Sequence, residues 1–187
     1  MKHANEYKRI LAIVLTTSDK KEPLFLENLE VLRDYVPHLD YWNLEMPPRS
    51  LSERFDKAKD QIYRKLDWLG HFDILTHDRE DCHTDHVFTA SIMFGAFKYA
   101  SKYVTVYSPS TVNFKANYWV GMTEQMYGIK KKCADKYDLE HETSYSNAGY
   151  YFQSEQHYNI GSAMFLENFV HRRYEYCEPY KILKWLN

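Results

Sequence analysis

Ile10-Leu11-Ala12-Ile13-Val14-Leu15 is a continuous apolar run that ends in Thr16-Thr17-Ser18-Asp19. A short all-apolar run closed by small polar residues reads as a buried parallel strand whose carboxyl end opens into a loop. Pro23 suits the first turn of a helix. Phe25, Leu29, Leu32 and Val36 then recur every third or fourth residue, which gives one apolar helical face that Pro37 stops. Residues 39–44 read as a second strand, and Pro47-Pro48 marks a loop. The clearest helix starts near Ser50. Its apolar face is Leu51, Phe55, Ala58, Ile62, Leu66 and Leu69, and Gly70 ends it. A short strand follows at 72–76, then a charged loop at 77–85. Residues 87–100 read as a helix apolar on most sides, hence buried, and 103–107 as another strand. Beyond Pro109 the pattern weakens. A helix over 123–137 is clear, whereas the tyrosine-rich stretch 145–158 reads as irregular.

Strands that alternate with helices predict an α/β fold, a Rossmann-like and mostly parallel sheet with helices on both faces. In such sheets ligands lie beyond the carboxyl ends of the strands, which is where the loop 77–86 begins. No repeat, low-complexity tract or linker divides the chain, so residues 1–187 are read as one domain.

Composition narrows the class. The net charge of −2 predicts neither a nucleic-acid nor a membrane partner. The aromatic content of 17% gives ample material for a core. The three cysteines, Cys82, Cys133 and Cys177, form no C-x-x-C pair, which argues against a disulfide framework and fits a reducing compartment. Residues 10–15 are too short an apolar run for a signal peptide or a membrane span, so the chain is read as cytoplasmic.

The chemistry concentrates in one loop. His77, Asp78, Glu80, Asp81, Cys82, His83, Asp85 and His86 stand within ten residues. Imidazoles and carboxylates are the common ligands of zinc and similar ions. With a helix starting near His86, His83 lies on the loop and His86 on the first turn, so the two can hold different roles. Asp85 is placed to bond the far nitrogen of an imidazole and fix its tautomer. The plainer alternative is a solvated loop whose aspartates cap a helix.

Phe72-Asp73-Ile74-Leu75-Thr76-His77 followed by Asp81-Cys82-His83-Thr84-Asp85-His86 resembles the H-x-D-H segment of the PIG-L/LmbE-like N-deacetylases. Tyr107-Ser108-Pro109-Ser110-Thr111-Val112-Asn113-Phe114 resembles that family's S-P-S-T segment, and Phe165-Leu166-Glu167-Asn168-Phe169 its late A-E-x-F motif. The resemblance runs from about residue 9 to about 175. It implies a zinc-dependent hydrolase of acylated amines or amino sugars. It further implies His86 as a metal ligand, His83 as the group that steadies the oxyanion or protonates the leaving amine, Asp85 as its orienting partner, and Tyr107 and Asn113 as substrate-side residues. The family's opening A-H-P-D-D-E motif, which supplies two zinc ligands and a general base, has no counterpart. The first strand of the family fold is accordingly expected to be missing from between residues 10–15 and 72–76. Those two strands are then expected to pair directly, or a second chain to fill the gap, by homo-oligomerisation or by a partner.

His3, Asp19 and Asp81 are read as ordinary surface polar residues rather than replacement ligands. Cys82 is read as an incidental loop thiol, and Lys130-Lys131-Lys132 as a solvated helix face. Tyr145, Tyr150, Tyr151 and Tyr158 are read as packing groups rather than a stacking surface for a sugar or base. Two readings compete: a divergent metal-dependent amide hydrolase, and a non-catalytic relative that keeps the fold for binding or regulation. A nucleotide-binding Rossmann domain ranks last, because Thr16-Thr17-Ser18-Asp19 has none of the glycines such a loop needs.

Overall fold

The computed structural model describes residues 6–139 and 176–185 apart from 20, 68 and 109, with the backbone alone over 134–139. His3, the tyrosine-rich stretch and the segment around Glu167 lie outside the described residues. The elements in chain order are β1 (Ile10–Thr16), α1 (Lys21–Arg33), β2 (Leu39–Met46), α2 (Phe55–Leu66), β3 (Asp73–His77), α3 (Thr84–Gly95), β4 (Lys102–Val106), β5 (Tyr118–Met122), α4 (Glu124–Leu139) and β6 (Tyr176–Trp185). No helix among the described residues is long and apolar enough to cross a membrane.

The alternation of strands and helices holds, but the single parallel sheet does not. β1 pairs in parallel with β2, from Ile10 opposite Leu39 to Thr16 opposite Met46, and these two form a sheet of their own. A second sheet has the order β3-β4-β6-β5. Within it β3 and β4 are parallel, whereas β6 runs antiparallel to both β4 and β5. The expectation that residues 10–15 and 72–76 pair directly is therefore overturned. Among the described residues β1 bonds to β2 and β3 bonds to β4, each on one side only.

Alternation along β1 and β2 explains how both of their faces are covered. Ile10, Ala12, Leu39 and Tyr41 pack with Leu29, Phe25, Leu32 and Val36 against α1. Ile13, Leu15, Trp42, Leu44 and Met46 point the other way, into a core with Ala58, Ile62 and Leu66 of α2 and Ile92 and Met93 of α3. Ile74 and Tyr103 belong to that same core, so α2 and α3 join the two sheets across one face. On the other face of β3, Leu75 is 63% exposed.

Two helix boundaries differ from the periodic reading. The helix expected from Ser50 begins only at Phe55. The Ser50 hydroxyl turns back to the Pro47 carbonyl, and the Ser50 carbonyl takes the amides of Glu53 and Arg54, so residues 51–54 are a turn. Leu51 is nonetheless fully buried, which is why the apolar spacing reaches it. The helix expected through Ala100 ends at Gly95, and i→i+3 turns carry the chain onward. Lys184 of β6 donates to the carbonyls of Phe97 and Lys98 and so satisfies that ragged end. Lys130, read as part of a solvated face, instead pairs with Glu178 of β6 at 2.7 Å.

At Gly95 a Cβ would fall 1.7 Å from the Tyr63 hydroxyl, which donates to the Ile92 carbonyl. Gly95→Ala is expected to push that ring aside, strand the hydroxyl, and cost about 1–3 kcal/mol. A denaturant midpoint measured beside the same substitution in Tyr63→Phe, where the hydroxyl is gone, checks the cause. The cost should shrink in the double variant.

Candidate metal centre

β3 ends at His77, and the loop that follows is anchored rather than solvated. Asp78 is 2% exposed. It accepts from the Thr105 hydroxyl at 2.7 Å and the Glu80 amide at 3.0 Å, and lies 3.3 Å from the Lys181 ammonium. Three residues on, Asp81 is 6% exposed. One of its oxygens takes the His83 amide at 2.7 Å, a local turn of the kind aspartate makes. The other takes the Ser108 hydroxyl, the Thr111 hydroxyl at 3.1 Å and His86 Nδ1 at 3.1 Å. The backbone reinforces this: Cys82 N donates to Ser110 O, and Val112 N to Glu80 O. The two sequence segments around 81–86 and 108–112 therefore meet, with Asp81 at the junction.

Burial alone would raise the Asp81 carboxyl. The Ser108 hydroxyl, the His83 amide and His86 outweigh it and hold the group well below the usual carboxylate range. Asp81 is thus an anion, and the reading of it as a surface residue is corrected. Its hydrogen bonds to the 108–111 segment arise some thirty residues downstream, where no local pattern announces them.

α3 starts at Thr84 with extended His83 before it, so His86 lies on the first turn. The ring of His86 is stacked on His77 at 3.9 Å with only 4° between planes, and the His83 ring is 4.5 Å away. Crowding and burial disfavour charge here. Burial first, then His86, lowers His77 to about 4, and the same two causes lower His83. His77 Nδ1 is buried and makes no hydrogen bond among the described residues. His77, Asp81 and His86 each offer a ligand atom within 4.8 Å of the others.

Asp85 is 4% exposed. Its Oδ2 accepts from the Thr16 hydroxyl at 3.1 Å and the Arg49 amide at 2.7 Å, while Oδ1 is buried without a donor. Arg49 holds a left-handed φ of 64°, in the loop that follows β2. Asp85 therefore ties the carboxyl end of β1 to α3. The imidazole contact expected of it is made by Asp81 to His86 instead.

No family model matches the chain, and no curated protein sequence matches it. The solved structures do offer likenesses. N,N'-diacetylchitobiose deacetylase from Pyrococcus horikoshii, complexed with its inhibitor MPG, superposes with a TM-score of 0.68 at 14% identity, over 97% of this chain and 75% of that one. This chain has a deacetylase-like fold. The 4-carboxy-2-hydroxymuconate hydratase GalB from Pseudomonas putida gives 0.61 at 11% identity, over 97% and 87%. One fold thus serves a deacetylase and a hydratase, and the likeness carries architecture rather than chemistry.

The structure brings His83, Asp85 and His86 to one place and adds His77 and Asp81, which the sequence reading left without a role. Tyr107 follows β4 directly, and its ring packs edge-on against Phe114 at 5.8 Å. Asn113 is exposed in a left-handed turn of φ 53°, a conformation asparagine tolerates, and no hydrogen bond among the described residues links it to the histidines. Cys82 and Asp19 are exposed. A cavity of about 540 Å³ lies where β1 begins, lined by Arg9, Trp42, Gln61, Arg64, Lys65 and Leu69, so it is separate from the histidines.

Proposed function

We propose that this chain is a divergent metal-dependent amide hydrolase acting on an acylated amine of amino-sugar type, with zinc as the ion. The observation that carries the reading is the state of His86. Its Nδ1 is engaged by buried Asp81, which fixes the tautomer and leaves Nε2 as the free lone pair. His77 stands beside it with an unpartnered nitrogen. A buried imidazole with no hydrogen bond is costly unless something else takes its lone pair. The donor set suits zinc. Ligands at about 2.0–2.1 Å from one ion sit at most about 4 Å apart, so the group spread over 4.8 Å must draw in, and His77 can turn without breaking a bond.

His86 and His77 would hold the ion, while Asp81 serves as the tether of His86. When bound, the ion would lower the pKa of water and polarise the amide carbonyl. His83, exposed and bonded through its amide to Asp81, would steady the oxyanion and deliver a proton to the departing amine nitrogen. Asp85 positions the start of α3 beneath it. Tyr107 and Asn113 are assigned to the substrate side.

A second reading, a non-catalytic binding or regulatory subunit, draws on the same geometry. Asp81 is fully engaged by protein donors, which leaves two imidazoles where zinc hydrolases usually have three protein ligands. Metal analysis of protein purified without chelator separates the outcomes. About one zinc per chain is expected, lost in His86→Ala and reduced in His77→Ala, together with deacylation of an N-acetylated amino sugar. Full zinc content in His86→Ala would refute the assignment, and bound zinc without turnover on a panel of acylated amines would favour the binding role.

A further inference from the structure

The polar flank of α2 is not simply solvated. Ala58, Ile62 and Leu66 of that helix enter the core. Gln61, Arg64 and Lys65 recur at i, i+3 and i+4 and so share the flank beside them. That flank faces the cavity of about 540 Å³ at the amino end of β1, where Arg9, Trp42 and Leu69 complete the wall. The volume suits a small molecule. Three of the described lining residues are cations and none is acidic. Arg9 gives its Nε to Asp40 at 2.6 Å, which leaves its two terminal nitrogens as further donors. Lys65 Nζ stands 5.5 Å from the centre of the Trp42 ring, so an anion beside Lys65 is also beside a flat apolar surface. Arg64 and Lys65 alone could be ascribed to the carboxyl end of the helix, which favours cations. Gln61 cannot. Its Oε1 is buried and has no donor among the described residues. A buried acceptor without a donor is destabilising, so something that enters the cavity is needed to supply one.

We infer that this cavity is a binding site for an adenine mononucleotide, separate from the metal centre. Each part of that ligand answers one part of the wall. The phosphate suits Arg64, Lys65 and Arg9, since guanidinium forks match phosphate oxygens. The base suits Trp42 and Leu69, an aromatic and an apolar surface. A carboxamide offers an acceptor beside a donor, the pair that matches the edge of adenine, so Gln61 Oε1 would take the exocyclic amine. Gln61 stands four residues, about 6 Å along the helix, from Lys65. That is close to the separation of base and phosphate in a mononucleotide. Arg9 lies at the opposite end of β1 from Thr16, which bonds to Asp85 beside the histidines. Roughly 20 Å of strand lies between the two places.

The test is calorimetric titration of the full chain with AMP, in chelator so that metal plays no part. Saturable binding of one AMP per chain is expected. Adenosine, ribose 5-phosphate and GMP should each bind at least about tenfold more weakly, because each lacks the phosphate, the base or the matching base edge. Arg64→Glu, an exposed position, should weaken AMP at least about tenfold. Gln61→Leu should also weaken AMP, yet leave the Tm of the ligand-free chain unchanged or raised, because the stranded acceptor is gone. A glutamine that served only the fold would lower the Tm instead, and that result would overturn its role. No saturation at millimolar AMP, inorganic phosphate competing as well as AMP, or an unaltered affinity in Arg64→Glu would overturn the site. His86→Ala should bind AMP as the native chain does. Metal content reports on the hydrolase reading by itself, so the two can fail separately.

Discussion

Asp81→Ala is expected to lower stability by about 3–4 kcal/mol, seen as a shifted denaturant midpoint with an unchanged slope. Alanine would leave the His83 amide, two hydroxyls and His86 Nδ1 without the buried acceptor they share. Stranding a buried donor costs about 1–3 kcal/mol, and relaxation of the hydroxyls toward water limits the sum. Glu80→Ala, exposed in the same loop, is the control and should stay within about 0.5 kcal/mol. pH offers a second check. The folded carboxyl is depressed relative to its ordinary value of 3.8. Its stabilisation is therefore complete above that value and is lost as pH falls below it, because the unfolded chain takes up the proton first. The acid limb of the stability curve should flatten in Asp81→Ala. A variant as stable as the native chain would show that the loop does not depend on its buried anion.

On the proposed hydrolase reading, the second large effect falls on turnover. His83→Ala is expected to keep zinc and fold but to lower kcat by about 10²–10⁴-fold, with KM little changed, as removal of a proton-transfer group does. His83 is exposed, and its backbone amide rather than its ring anchors it to Asp81, so the side chain can be removed without disturbing the loop. The comparison with His86→Ala is informative because that variant should lose metal and activity together. Equal loss of metal in both would move His83 into the ligand set.

Much of this was legible in the chain. β1 is a short apolar run, β3 and β4 mix apolar with polar positions, and the order of strands and helices pointed to an α/β fold. The H-x-D-H spacing implied that His83 and His86, on either side of a helix start, hold different roles, whereas His86 as the ligand was implied only by the family resemblance. What stayed hidden were matters of distance. Asp81 reads as one acid among several in a polar loop, and only Ser108 and Thr111 folding back make it a buried anion. Asp85 reads as a histidine partner, yet Thr16 and Arg49 reach it first. β6 carries Pro179, a residue that argues against an interior strand, although it sits fully buried opposite Trp119. Periodicity reports that a segment is a strand and which face is apolar, but not which neighbour it finds. That is why the choice between direct pairing of β1 with β3 and a gap between them was decided only in three dimensions.

The position of β6 also bears on how the chain is made. Residues 176–185 lie between β4 and β5, which precede them by far in sequence, and Lys184 closes the end of the segment after α3. During synthesis, β1, β2 and their helices can pack as soon as they emerge. Among the described residues, β5 has no strand beside it until β6 has been translated. A ribosome paused upstream of residue 176 would thus carry a half-built molecule with the open edge of β4 in solvent, the kind of species chaperones engage.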